Sequence, residues 1–126
     1  LTLIDFIQNM KTPINIVVLS MAYSMMGIML LSVPVERRFA FKHSSILLHD
    51  GTSGAQTSSS KMKDIMSFLG KTEERCKDIV LNNTTISKQL YKKNYEKEWF
   101  MYAEEAKSHG IIGSIIGEDC KLEDIL

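Results

Sequence analysis

Ser24, His49 and the charged run that ends at Glu98 are the places where this chain could do nucleophilic or acid–base chemistry. Ser24 lies where a short β-branched run gives way to unbranched helix formers, a strand-to-helix junction. A helix start presents unpaired backbone N–H groups and the positive end of the helix dipole. A hydroxyl there sits beside donors able to stabilise an oxyanion, as acyl transfer requires. The same position also suits an ordinary helix cap, which is what most serines at such junctions are. His49 closes the apolar run Ser45-Ile46-Leu47-Leu48 and precedes a Gly/Ser-rich stretch. The end of a buried strand is a rigid mount for a general base, and equally for a histidine held by backbone hydrogen bonds. His43 falls in a turn and His109 at a helix C-terminus, so neither competes for the base role. Glu98 ends Lys92-Lys93-Asn94-Tyr95-Glu96-Lys97-Glu98, a run that ordinarily forms a solvated face. The apolar Trp99-Phe100-Met101 directly after it indicates that the chain turns inward there.

The elements that must position these residues follow from periodicity. Leu1 to Met10 carries an apolar helical stripe that Pro13 stops. Ile14 to Leu19 reads as a buried strand, Ser20 to Ser24 as a sharp turn, and Met25 to Leu31 as a buried helix ended by Pro34. Arg38-Phe39-Ala40-Phe41 alternates as a half-buried strand should, and 45–48 is a further buried strand. Asp50 to Ser60 reads as an open loop. The serines at 58–60 offer caps for a long helix over 61–81, with Gly70 predicting a kink. Asn82-Asn83 mark a break, and Thr84-Thr85 cap a second helix through about Lys92. Trp99 to Met101 is a short strand, Ala103 to His109 a helix with a Gly C-terminal signal, Ile111 to Ile116 a final strand, and Glu118 onward an acidic tail. The order is that of an α/β protein with crossovers.

Composition narrows the classes. With 126 residues the chain is one modest domain. Hydrophobic residues make up 44% and charged residues 24%, which disfavours disorder. Fifteen Lys+Arg balance fifteen Asp+Glu, so the basic footprint of a nucleic-acid binder is missing. Two Cys and three His at these spacings make neither a disulfide scaffold nor a four-ligand metal site. No charge falls between Ile14 and Val33, about the length that crosses a bilayer. The strand-like and turn-like residues inside that stretch favour a strand, turn and helix over one spanning helix. Asp5 ahead of the apolar run, without a basic opening, argues against a signal peptide, and a cytoplasmic location is expected.

The sequence resembles the ClpP family, the proteolytic subunits of the ATP-dependent Clp protease. Asn94-Tyr95-Glu96-Lys97-Glu98-Trp99-Phe100-Met101-Tyr102-Ala103-Glu104-Glu105-Ala106, then Ser108-His109-Gly110-Ile111-Ile112, carry the likeness most clearly. Ala22-Tyr23-Ser24-Met25 resembles the family's nucleophile motif. Arg37-Arg38-Phe39 with Ser45 to His49 resembles its histidine segment. The steps of 25 residues from Ser24 to His49 and 49 from His49 to Glu98 keep the family register without a gap.

That resemblance implies an α/β ClpP/crotonase-like fold with repeated β-β-α units and a protruding long handle helix. It divides residues 1–126 into a head (1–50 and 93–117), a handle region (51–92) and the tail (118–126), without the family's N-terminal third. It implies Ser24 as nucleophile, His49 as general base and Glu98 in the place of the family's aspartate, where a glutamate can orient the imidazole. The Met25 N–H would be one oxyanion donor. Thr52, Ser53, Gly54, Ala55 and Gln56 would line a groove that takes the substrate as an added strand. Glu96 and Lys97 would join two rings. The resemblance further implies heptameric rings stacked as a tetradecamer, a partner AAA+ Clp unfoldase that uses the ATP, and unfolded polypeptides as substrates. No metal or organic cofactor, nucleic acid or membrane partner is implied. Met26 and Ser20 replace family glycines, and Asp50-Gly51 replaces the Gln-Pro after the histidine. The altered elbow and Glu98 motivate an alternative, a ring subunit with weak or no activity.

Overall fold

The computed structural model describes residues 1–51 and 56–126; the expected groove residues Thr52, Ser53, Gly54 and Ala55 lie outside the described residues. Helix α1 (Thr2–Gln8) is followed by β1 (Ile16–Val18), β2 (Met21–Tyr23) and α2 (Met25–Leu30). After a 3₁₀ turn at Val35–Arg37 come β3 (Arg38–Phe41), β4 (Ser45–Leu48) and the long α3 (Ser59–Asn83). The chain closes with α4 (Lys88–Tyr95), β5 (Trp99–Tyr102), α5 (Ala103–Ser108), β6 (Ser114–Ile116) and a 3₁₀ turn at Leu122–Asp124.

Two strand–strand–helix units stand in parallel register. β1 pairs β3 and β2 pairs β4, both parallel, so β1-β2-α2 and β3-β4-α3 repeat one plan. Each unit feeds two sheets: β1-β3-β6, entirely parallel, and β2-β4-β5, in which β5 runs antiparallel to β4. The corners of the two units are tied together. Buried Ser44 donates its hydroxyl to the Val18 carbonyl at 2.7 Å, and the Ser45 N–H donates to the Ser20 carbonyl at 2.9 Å. One apolar core joins Val18, Ala22, Ile28, Leu31, Ile46, Met101, Ile111 and Ile115 from both sheets and their covering helices.

Several expectations are corrected. The stretch from Ser20 to Ser24 is not a bare turn: the chain bends at Leu19-Ser20 and turns again at Ser24, and between them Met21–Tyr23 form a strand with Ala22 inward and Met21 outward. A three-residue strand offers one period of alternation, too little to separate from a polar interruption. Arg38 to Ala40 is not half-buried; Arg38 is 2% exposed, because β3 is the central strand of its sheet with cover on both faces. α3 runs unbroken through Gly70 and to Asn83. The cap of α4 is Ser87, whose hydroxyl accepts the Leu90 N–H at 3.1 Å, rather than Thr84 or Thr85. Thr84 instead donates back to the Val80 carbonyl at 2.7 Å. The charge-free stretch from Ile14 to Val33 folds as β1, β2 and α2, and among the described residues no helix is long and apolar enough to cross a membrane.

Buried Arg38 fastens these pieces. Its guanidinium donates to the carbonyls of Val33 and Asn83 at 2.7 Å each and of Gly110 at 3.2 Å. The Asn83 carbonyl belongs to the last turn of α3, where no intrahelical donor is available. Burial pulls the guanidinium pKa down to about 10, so it stays charged at neutral pH.

Candidate active site

Ser24 is the residue between β2 and α2. Its N–H donates to the Leu47 carbonyl at 3.1 Å and its carbonyl accepts from Ile28, so the backbone is fixed on both sides. To turn from strand to helix in one residue it takes φ 56° and ψ −123°. Among the described residues it is the one non-glycine with positive φ. Such a backbone costs on the order of 1–3 kcal/mol and persists where surroundings over-determine it, often at functional sites. The sharp strand-to-helix turn that lifts a nucleophilic serine out of a sheet has this character. Met25 opens α2, so its N–H lies outside the helical ladder and beside Ser24.

Gly27 allows α2 to sit against the sheet. A Cβ there would lie 3.0 Å from the Leu47 carbonyl oxygen and 3.3 Å from that of Ala22. The glycine lets the helix start descend onto the strand end that carries His49. Its signal in the sequence is a lone glycine in an apolar helical run, which costs helix propensity and so asks for a packing reason.

His49 follows the last residue of β4, and Glu98 precedes the first of β5. In that antiparallel pair Leu48 faces Trp99, so the next step of the same register sets His49 against Glu98. The His49 Nδ1 lies 3.1 Å from the Glu98 Oε1. A carboxylate only accepts, so Nδ1 carries the hydrogen, and in the neutral ring Nε2 is then the nitrogen with the lone pair. That Nε2 is buried and has no hydrogen-bond partner among the described residues. The imidazole is thus in the tautomer a general base needs. Glu98 is 62% exposed on its side chain, so water competes for it.

Ser24 and His49 line one cavity of about 180 Å³ with Met25, Ile28, Leu69 and Tyr91. The structure brings the two residues to this common cavity without a hydrogen bond between them among the described residues. Catalytic contacts are often long before substrate binds. The ends of β2 and β4, parallel neighbours, open here, where ligands of parallel sheets generally bind.

Several wall residues were missed by reading the sequence. Cys76 and Leu69 appeared only as apolar positions of a long helix, yet with Thr72 and Glu73 they form the face of α3 that closes the cavity. Their spacing of three and four residues was the available signal. Tyr91 and Tyr95, four apart on α4, stack with ring centroids 4.9 Å apart. Burial pushes both phenols and the Cys76 thiol upward, so all three are neutral and poor nucleophiles at pH 7. Gln56, Glu96 and Lys97 are exposed.

The model of the Clp protease family matches residues 1–119, and the chain belongs to the Clp protease family.

Proposed function

We propose that this chain is a serine endopeptidase subunit in which Ser24 attacks a peptide carbonyl. His49 Nε2 takes the Ser24 proton and returns it to the leaving amine. Glu98 holds the imidazole through Nδ1 and favours the imidazolium that forms. The Met25 N–H donates to the developing oxyanion, and water then hydrolyses the acyl-enzyme. The observation that carries the reading is the pairing of a strained Ser24 elbow with a His49 ring whose Nδ1 is bound to Glu98 and whose Nε2 is left unpaired. Treatment of the full chain with a fluorophosphonate probe tests it. Labelling of Ser24 that Ser24→Ala abolishes supports the peptidase; an assembled, folded protein that takes no label is a structural ring subunit instead.

The substrates in this reading are unfolded polypeptides, admitted to a chamber of heptameric rings stacked in pairs and delivered by an AAA+ Clp unfoldase that spends the ATP. Residues 52–56 would receive the substrate as an added strand. Support for the rings comes from α3, which buries only Val80 among its 25 residues and leaves Met66 and Phe68 exposed at 58% and 67%. A helix with that little cover and that much exposed apolar surface suits contact with another subunit. Exposed Glu96 and Lys97 would join the rings, with 51–92 as the handle. Sedimentation of the full chain, and of Glu96→Lys, measures the assembly.

A further inference from the structure

We propose that the cavity beside Ser24 seats the side chain on the acyl side of the cleaved bond and selects a basic one, lysine or arginine, through Glu73. The inference rests on the peptidase reading above. The cavity has a volume of about 180 Å³. That admits one long side chain and excludes folded structure.

The wall and the rim differ in chemistry. Met25, Ile28, Leu69 and the stacked Tyr91–Tyr95 rings supply an apolar sleeve for a methylene stem. Glu73 stands on the lining, exposed to solvent, and no Lys or Arg lines the cavity among the described residues. Lys77, Lys88 and Lys92 line the adjoining surface pocket with Glu73, and Lys77 is engaged by Glu74 at 2.9 Å. A cation arriving on an apolar stem therefore meets the Glu73 carboxylate and an aromatic pair. An aliphatic side chain meets only the sleeve.

Peptidyl diphenyl phosphonates that differ only in carrying a lysine-like or a leucine-like side chain at this position test the proposal. Ser24 Oγ displaces phenoxide from phosphorus, and intact mass gives the labelling rate. The lysine-like probe is expected to label the full chain about fivefold faster, the scale of one partly screened charge pair. Glu73→Gln should bring that ratio down to about one. Raising salt should shrink the ratio in the parent chain only. Equal or faster labelling by the leucine-like probe, or a ratio unmoved by Glu73→Gln in a protein with the parent circular dichroism, overturns the selection while fluorophosphonate labelling of Ser24 leaves the peptidase reading standing. Failure of the fluorophosphonate itself removes both.

Discussion

His49 and Glu98 face each other one step past the last pair of the β4–β5 ladder, with Nδ1 and Oε1 3.1 Å apart. Antiparallel register, and not local sequence, delivers the carboxylate to the imidazole. The register fixes the two backbones, and the Glu98 side chain spans the remaining distance to the ring. Glu98→Gln keeps the shape but donates from an amide nitrogen or accepts weakly, and it withdraws charge from the imidazolium. Its 62% exposure means that water partly replaces it. The expected loss in fluorophosphonate labelling rate is about 10²-fold, below the roughly 10⁴ of a fully buried triad carboxylate. An unchanged rate would detach Glu98 from the proton relay.

The strained elbow makes a prediction about stability that is separate from chemistry. Ser24→Ala and Ser24→Gly both remove the hydroxyl, but only glycine tolerates φ 56° without cost. Urea unfolding should find Ser24→Gly more stable than Ser24→Ala by about 1 kcal/mol, even after the extra chain entropy of glycine. The opposite order would mean that the turn is unstrained.

How much of this was readable in the sequence depends on the range of the force involved. The long α3, the strands at β3 and β4 and the helix closed by His109 and Gly110 show in local periodicity and capping, and each is present. Gly110, at φ +67°, performs the helix-ending role its type suggests. β2 and the true burial of Arg38 did not show, because both are set by neighbours distant in the chain: β2 by pairing with β4, and Arg38 by carbonyls at 83 and 110. The positions of Ser24 and His49 at strand ends were legible from the change of residue type. The cavity wall from Cys76, Tyr91 and Tyr95 was not, since nothing local says which face of an amphipathic helix meets a site and which meets plain core.

Arg38 is a buried cation bonded to carbonyls, with no carboxylate among the acceptors named for it. Its replacement orphans at least two buried acceptors, at roughly 1–3 kcal/mol each. Arg38→Met is expected to lose about 3 kcal/mol in urea unfolding. Arg38→Lys should recover less than half, because one ammonium cannot span Val33, Asn83 and Gly110 as a planar fork does. Full recovery by lysine would reduce Arg38 to a point charge.

Gly27 ties the elbow to the sheet by the absence of a side chain. Gly27→Ala places a methyl 3.0 Å from the Leu47 carbonyl oxygen, a backbone atom that cannot swing away. The expected cost is about 1–3 kcal/mol, together with slower labelling of Ser24, since α2 must lift away from the end of β2. A variant as stable as the parent and labelled as fast would show that the helix start has slack.

Asp119 holds β6 at the edge of the β1-β3-β6 sheet. Its carboxylate accepts the Ile115 N–H and the Lys107 ammonium, each at 2.7 Å, and these bonds, led by that to Lys107, hold its pKa below the ordinary 3.8. The folded state thus binds this proton less readily than the unfolded chain does. The contribution is complete above the unfolded value, near 3.8, and is lost as pH falls through the lower folded one. Asp119→Asn should therefore be less stable than the parent at pH 6, with the gap narrowing as acid protonates the parent carboxylate. Thermal unfolding of both proteins from pH 6 down to about pH 3 measures the difference. A gap that stays constant across that range would mean that the hydrogen bonds of Asp119 do not depend on its charge, and that β6 is fixed by packing of Ile115 and Ile116 alone.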